Sequence, residues 1–304
     1  MSTLKERLSN TAGRQVQRFS PTLYARWPAF VLLTRLDRPI GTYLLLWPTL
    51  GALWLAADGL PDLHLIFIFA LGTLLMRSAG CCINDYADAN IDGDVLRTRE
   101  RAIVTGQMTR RGAMYCFIGL CLAALVLLLF TNLMTILLSL GAVLLTAIYP
   151  FMKRYTHLPQ VVLGMAFSWG ILMAFTAQTG ALPAAAWVLY VANCLWTVAY
   201  DTQYAIVDRE YDLKIGVKST AILFGEADRV MLALLHGMFL LALLLAGGQF
   251  GLSGWYYASL LVAAGLLVYQ HRLTWHRDVD GCFRAFKNNH WVGLVVFIGV
   301  VLGT

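Results

Sequence analysis

Nine apolar stretches, most of them long enough to cross a hydrocarbon core as a helix, dominate this chain: approximately Ile40–Ala57, Leu65–Ile83, Ala113–Phe130, Leu133–Met152, Val161–Gln178, Ala184–Tyr204, Ala227–Ala246, Leu252–Tyr269 and a short His290–Gly303. A spanning helix needs about 17–25 apolar residues and satisfies every backbone group within itself. The composition agrees, since 304 residues with 59% hydrophobic and 13% charged side chains and a mean hydropathy of +0.66 are too apolar for an ordinary soluble domain. No linker or low-complexity stretch divides the chain and the connections lacking Lys and Arg are short. The sequence therefore predicts an all-α, polytopic membrane protein with nine transmembrane helices in a single domain over residues 1–304.

The basic residues orient it. Lys5, Arg7, Arg14, Arg18, Arg26, Arg35 and Arg38 precede the first stretch; Arg97, Arg99, Arg101, Arg110 and Arg111 follow the second; Lys153 and Arg154 follow the fourth. Arg209, Lys214, Lys218 and Arg229 surround the connection from sixth to seventh, and Arg272, Arg277, Arg284 and Lys287 fill that from eighth to ninth. With Arg77 inside the second stretch these make all 23 Lys and Arg residues, and the alternate connections carry none. By the positive-inside rule the amino terminus and the even-numbered connections are cytoplasmic. The net charge of +6 follows from this bias. It does not describe a nucleic-acid surface, which would need basic residues interleaved with aromatics on a soluble face.

The polar, basic segment 1–28 has no apolar centre and does not read as a cleavable signal peptide. Leu4, Leu8, Val16, Phe19 and Leu23 lie near helical spacing, which fits an interfacial helix. The six cysteines (Cys81, Cys82, Cys116, Cys121, Cys194, Cys282) form no CxxC pair and read as small apolar packing residues. The histidines show no zinc-ligand spacing, no Ser-His-Asp arrangement is discernible, and no G-x-x-x-x-G-K phosphate loop occurs.

Against this apolar background two acidic runs stand out: Asn84-Asp85-Tyr86-Ala87-Asp88-Ala89-Asn90-Ile91-Asp92 and Asp201 through Asp208 to Asp212. Each emerges from an apolar stretch on the predicted cytoplasmic side and leads into a longer connection, near residues 93–112 and 209–226, able to fold over it as a cap. Carboxylates gathered at a bilayer edge are costly and require a compensating cation. Asn84, Asp88 and Asp92 are spaced four apart, as are Asp208 and Asp212, with Asp201 seven residues before Asp208. At about 100° per residue such offsets stack side chains on one helical face. Arg77, Asn84 and Asp88 repeat the seven-and-four spacing. Hard oxygen donors suit Mg²⁺, which combines one or two carboxylates with substrate phosphates, so the two runs predict a metal-diphosphate site. A single D-x-x-x-D reads more simply as a solvated helix end, whereas two such runs on one membrane face favour the metal.

Arg77, about ten residues into the second stretch, either pairs with a buried Asp or grips a diphosphate oxygen or a substrate carboxylate. Lys153 and Arg154 read first as stop-transfer charges, and Lys218 equally as a phosphate ligand or a surface charge. Tyr149, Phe167, Trp169, Trp196, Tyr200 and Tyr204 are aromatic at these depths. Most are packing or interface residues, while a few π faces would stabilise a carbocation.

Asn84-Asp85-x-x-Asp88-x-x-x-Asp92 with Asp201-x6-Asp208-x3-Asp212 resembles the UbiA superfamily of intramembrane aromatic prenyltransferases, from about Arg35 to the carboxyl terminus. Further segments are similar to its 4-hydroxybenzoate polyprenyltransferase branch: Arg38-Pro39-Ile40-Gly41 with Leu46-Trp47-Pro48-Thr49, Met76-Arg77-Ser78-Ala79-Gly80-Cys81, Tyr149 to Gln160, Tyr200 to Ala205, and Asp208 to Gly225. The resemblance implies nine helices around a central cavity open to lipid and capped on the cytoplasmic side of a bacterial inner membrane. It implies transfer of a polyprenyl group from polyprenyl diphosphate to the ring carbon ortho to the hydroxyl of 4-hydroxybenzoate, in ubiquinone biosynthesis. On that reading Asn84, Asp85, Asp88, Asp92, Asp208 and Asp212 hold Mg²⁺. Arg77, Lys153, Arg154, Tyr204 and Lys218 contact the substrates, with Arg154 preferred as the benzoate clamp because guanidinium matches carboxylate bidentately. Asp88 and Asp208 are essential to ionisation, and Asp201 or the diphosphate takes the ring proton. No nucleic acid and no obligate protein partner is implied. The remaining readings are a prenyltransferase for homogentisate, dihydroxynaphthoate or haem, and a cation-coupled transporter. One departure stands out: the branch usually has Arg-Pro where this chain has Arg101-Ala102, which frees a φ angle and is expected to alter the order of the cap loop.

Overall fold

The computed structural model describes residues 21–93 and 98–304. The interfacial pattern at Leu4, Leu8, Val16 and Phe19 lies outside the described residues. Among the described residues all regular structure is helical, in the order α1 (Pro21–Thr34), α2 (Ile40–Ala57), α3 (Leu63–Asp88), α4 (Arg110–Leu128), α5 (Leu133–Met152), α6 (Pro159–Thr179), α7 (Ala184–Ile215), α8 (Thr220–Phe224), α9 (Asp228–Gln249), α10 (Gly254–Leu273) and α11 (Val279–Gly303). A 3₁₀ turn, Gly225–Ala227, joins α8 to α9.

Local chemistry sets several ends. Asn132 caps α5 by accepting the Thr135 amide at 2.9 Å, and Ser219 caps α8 through Ile222. Pro159 occupies the first turn of α6, where its missing N–H costs nothing, and Gly180 ends that helix in the left-handed region at φ 68°. Gly216 closes α7 in the same way at φ 71°.

Among the described residues seven helices are long and apolar enough to cross a membrane: α2, α3, α4, α5, α6, Thr220–Gln249 taken as one, and α11. The other two expected spans coincide with α7 and α10, whose polar positions dilute their hydropathy: Asn193, Thr197, Asp201 and Gln203 on one, Gln270, His271 and Arg272 on the other. The short last stretch expected at His290–Gly303 is instead the second half of a 25-residue helix. Asp278 starts α11 by accepting the Gly281 amide at 2.7 Å, and Arg284, Lys287, Asn288 and Asn289 then ride on the same helix, hiding its first half from a hydropathy scan.

The helices fall into two compact units. The larger comprises Ile40–Leu75 and Leu122–Thr304. Its core joins Leu44 and Leu53 of α2, Leu65 and Phe69 of α3, Leu172 and Phe175 of α6, Trp196 and Tyr200 of α7, Phe239 of α9 and Tyr256 of α10. Close approach depends on glycine: a Cβ on Gly164 of α6 would lie 3.1 Å from the Cys194 carbonyl of α7, and one on Gly293 of α11 only 2.9 Å from the Trp196 and Trp47 rings. Small residues at helix contacts are the usual solution where lipid offers no hydrophobic drive between helices.

A chain of buried amides links three helices of this unit. Trp196 Nε1 donates to Asn289 Oδ1 at 2.8 Å, Asn289 Nδ2 to Gln203 Oε1 at 3.0 Å, Gln203 Nε2 to Gln270 Oε1 at 3.1 Å, and Gln270 Nε2 to Asn288 Oδ1 at 3.1 Å. Asn289, Gln203 and Gln270 each both donate and accept, so α7, α10 and α11 are held in one rotational register. Of the described residues, the smaller unit takes in 21–39 together with those of Met76–Cys121. It carries the first acidic run.

Candidate active site

Helix α3 brings Asn84, Asp85 and Asp88 to its last turns and stops at Asp88. Asp92 therefore reaches the cluster from a following turn rather than from the same helix, although its amide still bonds to the Asp88 carbonyl at 2.9 Å. Thr98 fixes that turn by donating from Oγ1 to the Asp92 carbonyl at 2.6 Å. Asp85, Asp88 and Asp92 are 1%, 2% and 5% exposed, which for carboxylates requires a countercharge.

Two arginines supply it. Arg35 Nη2 lies 2.5 Å from Asp85 Oδ1. Arg101 Nη1 lies 2.5 Å from Asp92 Oδ2, 3.3 Å from Asp85 Oδ1 and 3.8 Å from Asp88 Oδ2, so three carboxylates converge on one nitrogen. Burial pushes the Asp92 carboxyl up to about 6 while Arg101 pulls it down. Asp85 Oδ2 is buried and has no hydrogen-bond partner among the described residues. Arg110, at the start of α4, holds the end of α3 from outside: it donates to the Tyr86 carbonyl at 3.2 Å and stands 4.9 Å over the Tyr86 ring. Ala102, where the expected proline is missing, is fully buried, and its carbonyl accepts the Met108 amide at 2.9 Å.

Among the described residues the Arg77 guanidinium contacts Cys81 Sγ, one turn further along α3, and its Nε has no hydrogen-bond partner. Sequence reasoning missed the roles of Arg35 and Arg101, which look like two more orientation charges; the signal available was the carboxylates' need for a cation close by. Among the described residues no group of three or more His, Cys, Asp or Glu side chains is arranged to hold a metal ion. Arg101 stands among the first-run acids instead. The donor set itself, buried carboxylate oxygens with one orphaned, fits a hard divalent cation.

The second run lies in the larger unit, on a single unbroken helix. Asp201, Tyr204, Asp208 and Asp212 all ride on α7, as the spacing predicts. Tyr204 packs its ring 4.7 Å from Phe286 and 6.1 Å from Phe283, both of α11. Arg209 turns to Asp228, a fully buried residue at the start of α9, with Nη2 to Oδ2 at 2.6 Å, and Arg277 grips the same carboxylate at 2.9 Å. Lys218 ties two connections together: its amide donates to the Lys153 carbonyl at 2.9 Å and its ammonium to the Tyr155 carbonyl at 3.2 Å. Lys153 and Arg154 thus project from a turn that Lys218 fixes. The Arg154 guanidinium lies 5.5 Å over the Phe151 ring. Deeper in this unit a small apolar cavity of about 60 Å³ is lined by Trp47, Leu55, Asn193, Trp196, Phe239 and Phe297 among others.

Residues 45–297 match the UbiA prenyltransferase family. The chain belongs to that family. Among curated relatives of this UbiA protein, a 4-hydroxybenzoate octaprenyltransferase from Ectopseudomonas mendocina (strain ymp) is 60% identical over 92% of the chain and 95% of its own length. One of the same name from Saccharophagus degradans is 59% identical over 96% and 98%. Among solved structures, the apo UbiA homologue from Aeropyrum pernix K1 shares the fold with a TM-score of 0.76 at 22% identity, covering 86% of this chain and 97% of that one. A homologue from Archaeoglobus fulgidus, solved bound to GPP and Mg²⁺, has a TM-score of 0.61 at 16% identity over 90% and 99%. With its seven apolar helices this UbiA protein is a multi-pass membrane protein.

Proposed function

We propose that this UbiA protein transfers a polyprenyl group from polyprenyl diphosphate to the ring carbon ortho to the hydroxyl of 4-hydroxybenzoate, giving 3-polyprenyl-4-hydroxybenzoate for ubiquinone. The observation that carries the acceptor is the 60% identity, over 92% of the chain, to a relative bearing that activity in its name. We further take α7 and α10 as spans, which makes nine around a central cavity open to lipid, with the cytoplasmic connections as a cap in a bacterial inner membrane. The basic residues of the even-numbered connections support that orientation.

In this reading Asn84, Asp85, Asp88 and Asp92 act with Asp208 and Asp212 as oxygen ligands for Mg²⁺. The metal, when bound, neutralises the diphosphate and makes it a better leaving group. Arg77 adds charge for the same anion from inside α3, and Lys218 from its connection. Arg154, with Lys153 as second choice, orients the benzoate carboxylate, and the Tyr204 ring faces the allylic cation. The prenyl C–O bond breaks, a C–C bond forms at the ring, and Asp201 or the released diphosphate accepts the ring proton.

The test is product analysis in membranes carrying the protein, with 4-hydroxybenzoate, homogentisate or dihydroxynaphthoate and donors of several lengths, with Mg²⁺ and with chelator. A Mg²⁺-dependent product formed from 4-hydroxybenzoate supports the reading. Prenylation of another acceptor in preference to it, or turnover indifferent to chelation, overturns it.

A further inference from the structure

We propose that Arg101 is the built-in countercation of the first acidic run and is displaced when a divalent cation binds there; this rests on the metal reading above. The two arginines at the cluster differ in what they touch. Arg35 forms its ion pair with Asp85, at 2.5 Å. Arg101 presents a single nitrogen to Asp85, Asp88 and Asp92 together. A point on which three carboxylates converge is where a positive charge is best stabilised, and Mg²⁺ draws such oxygens to about 2.0–2.1 Å. A guanidinium and a metal cannot share that point. Asp85 Oδ2, buried and without a hydrogen-bond partner among the described residues, is a lone pair that Arg101 leaves unused.

Displacement needs only a side-chain swing. The Arg101 backbone is fixed by its own turn: its amide donates to Thr98 O at 3.0 Å and its carbonyl accepts from Thr105 N at 3.0 Å. Its side chain is 15% exposed, against 1% and 2% for Asp85 and Asp88, so it has a route outward that the acids lack. Thr98 holds the Asp92 carbonyl independently of the guanidinium, which keeps that carboxylate near the others as the arginine leaves. Arg101 thereby keeps the buried acids paired between turnovers and opposes metal binding by the same interaction, a coupling that is reciprocal by linkage.

The experiment uses the full chain in detergent without substrates. Mn²⁺ binding is followed by the EPR signal of the free ion for the wild type and R101Q, and labelling of Arg101 by phenylglyoxal is mapped by mass spectrometry with and without Mg²⁺. Expected are binding to R101Q tighter by roughly tenfold, and faster labelling of wild-type Arg101 when Mg²⁺ is present. The labelling needs no variant and separates displacement from simple repulsion of one cation by another. Equal or weaker Mn²⁺ binding by R101Q, or a labelling rate that Mg²⁺ leaves unchanged or lowers while the metal binds, overturns the proposal alone. Failure of both proteins to bind Mn²⁺ overturns the metal site and the proposal together.

Discussion

Arg209, the residue after Asp208, donates from Nη2 to Asp228 Oδ2 at 2.6 Å. This bond turns a cation away from the run it belongs to and fastens the end of α7 to the start of α9. Asp228 is fully buried and Arg277 bonds the same carboxylate, so its removal leaves Arg209 without its anion and Arg277 with Glu226 alone. Breaking a buried pair at one partner costs about 3–5 kcal/mol. D228A should therefore lower the thermal midpoint in detergent markedly. R277A should lower it less, because Asp228 keeps Arg209. A D228A midpoint equal to that of the wild type would remove the anchoring role.

Lys218 offers a sharper kinetic test. Its two bonds to the Lys153 and Tyr155 carbonyls fix the turn that bears Arg154. Replacing it with Met removes the ammonium bond, worth about 1 kcal/mol, or roughly fivefold in an equilibrium constant. We expect KM for 4-hydroxybenzoate to rise by about that factor, because the turn bearing Arg154 loosens, and KM for the prenyl diphosphate to rise with it, because the ammonium also adds charge for that anion. A rise in neither would remove Lys218 from the site.

The amide chain through Gln203 can be measured by stability. Q203L leaves partners on Asn289 and Gln270 unsatisfied, at about 1–3 kcal/mol. A double-mutant cycle of Gln203 with Asn289 should give a coupling of about 0.6–1.7 kcal/mol, the scale found between membrane helices. Additive losses would indicate that the two amides do not act together.

Both acidic runs are required by the proposed chemistry. D88A and D208A should each reduce prenyl transfer by roughly 10²–10³-fold, the usual loss when a group stabilising developing charge is removed. Both variants should still insert into membranes. Normal turnover in either would sink the two-run site.

Much of the fold is legible in the sequence. Ile40–Ala57 and Leu133–Met152 emerge with the same limits from the apolar pattern and from the helices. The boundaries fail where polar residues continue a helix. Asn289 stands just before the apolar run that starts at His290, yet sits inside α11, where Trp196 and Gln203 satisfy its amide. Hydropathy registers the cost of a buried amide and cannot see the partner that offsets it. The candidate site is legible in a similar way. Acids at four-residue spacing announce themselves, whereas Arg35 lies 50 residues from Asp85 and pairs with it only through tertiary structure.

Helix α7 has 32 residues. Taken as a span, as proposed above, it is about 48 Å long at 1.5 Å per residue, against a hydrocarbon core of about 30 Å. A rod of that length cannot be stretched or shortened to suit its surroundings. Asp201, Asp208 and Asp212 keep fixed heights above the indole of Trp196, and a bilayer of different thickness has to deform around the helix or tilt it. Acyl-chain length in reconstituted vesicles thus becomes a physical variable acting on the second acidic run, with no ligand and no change in the sequence.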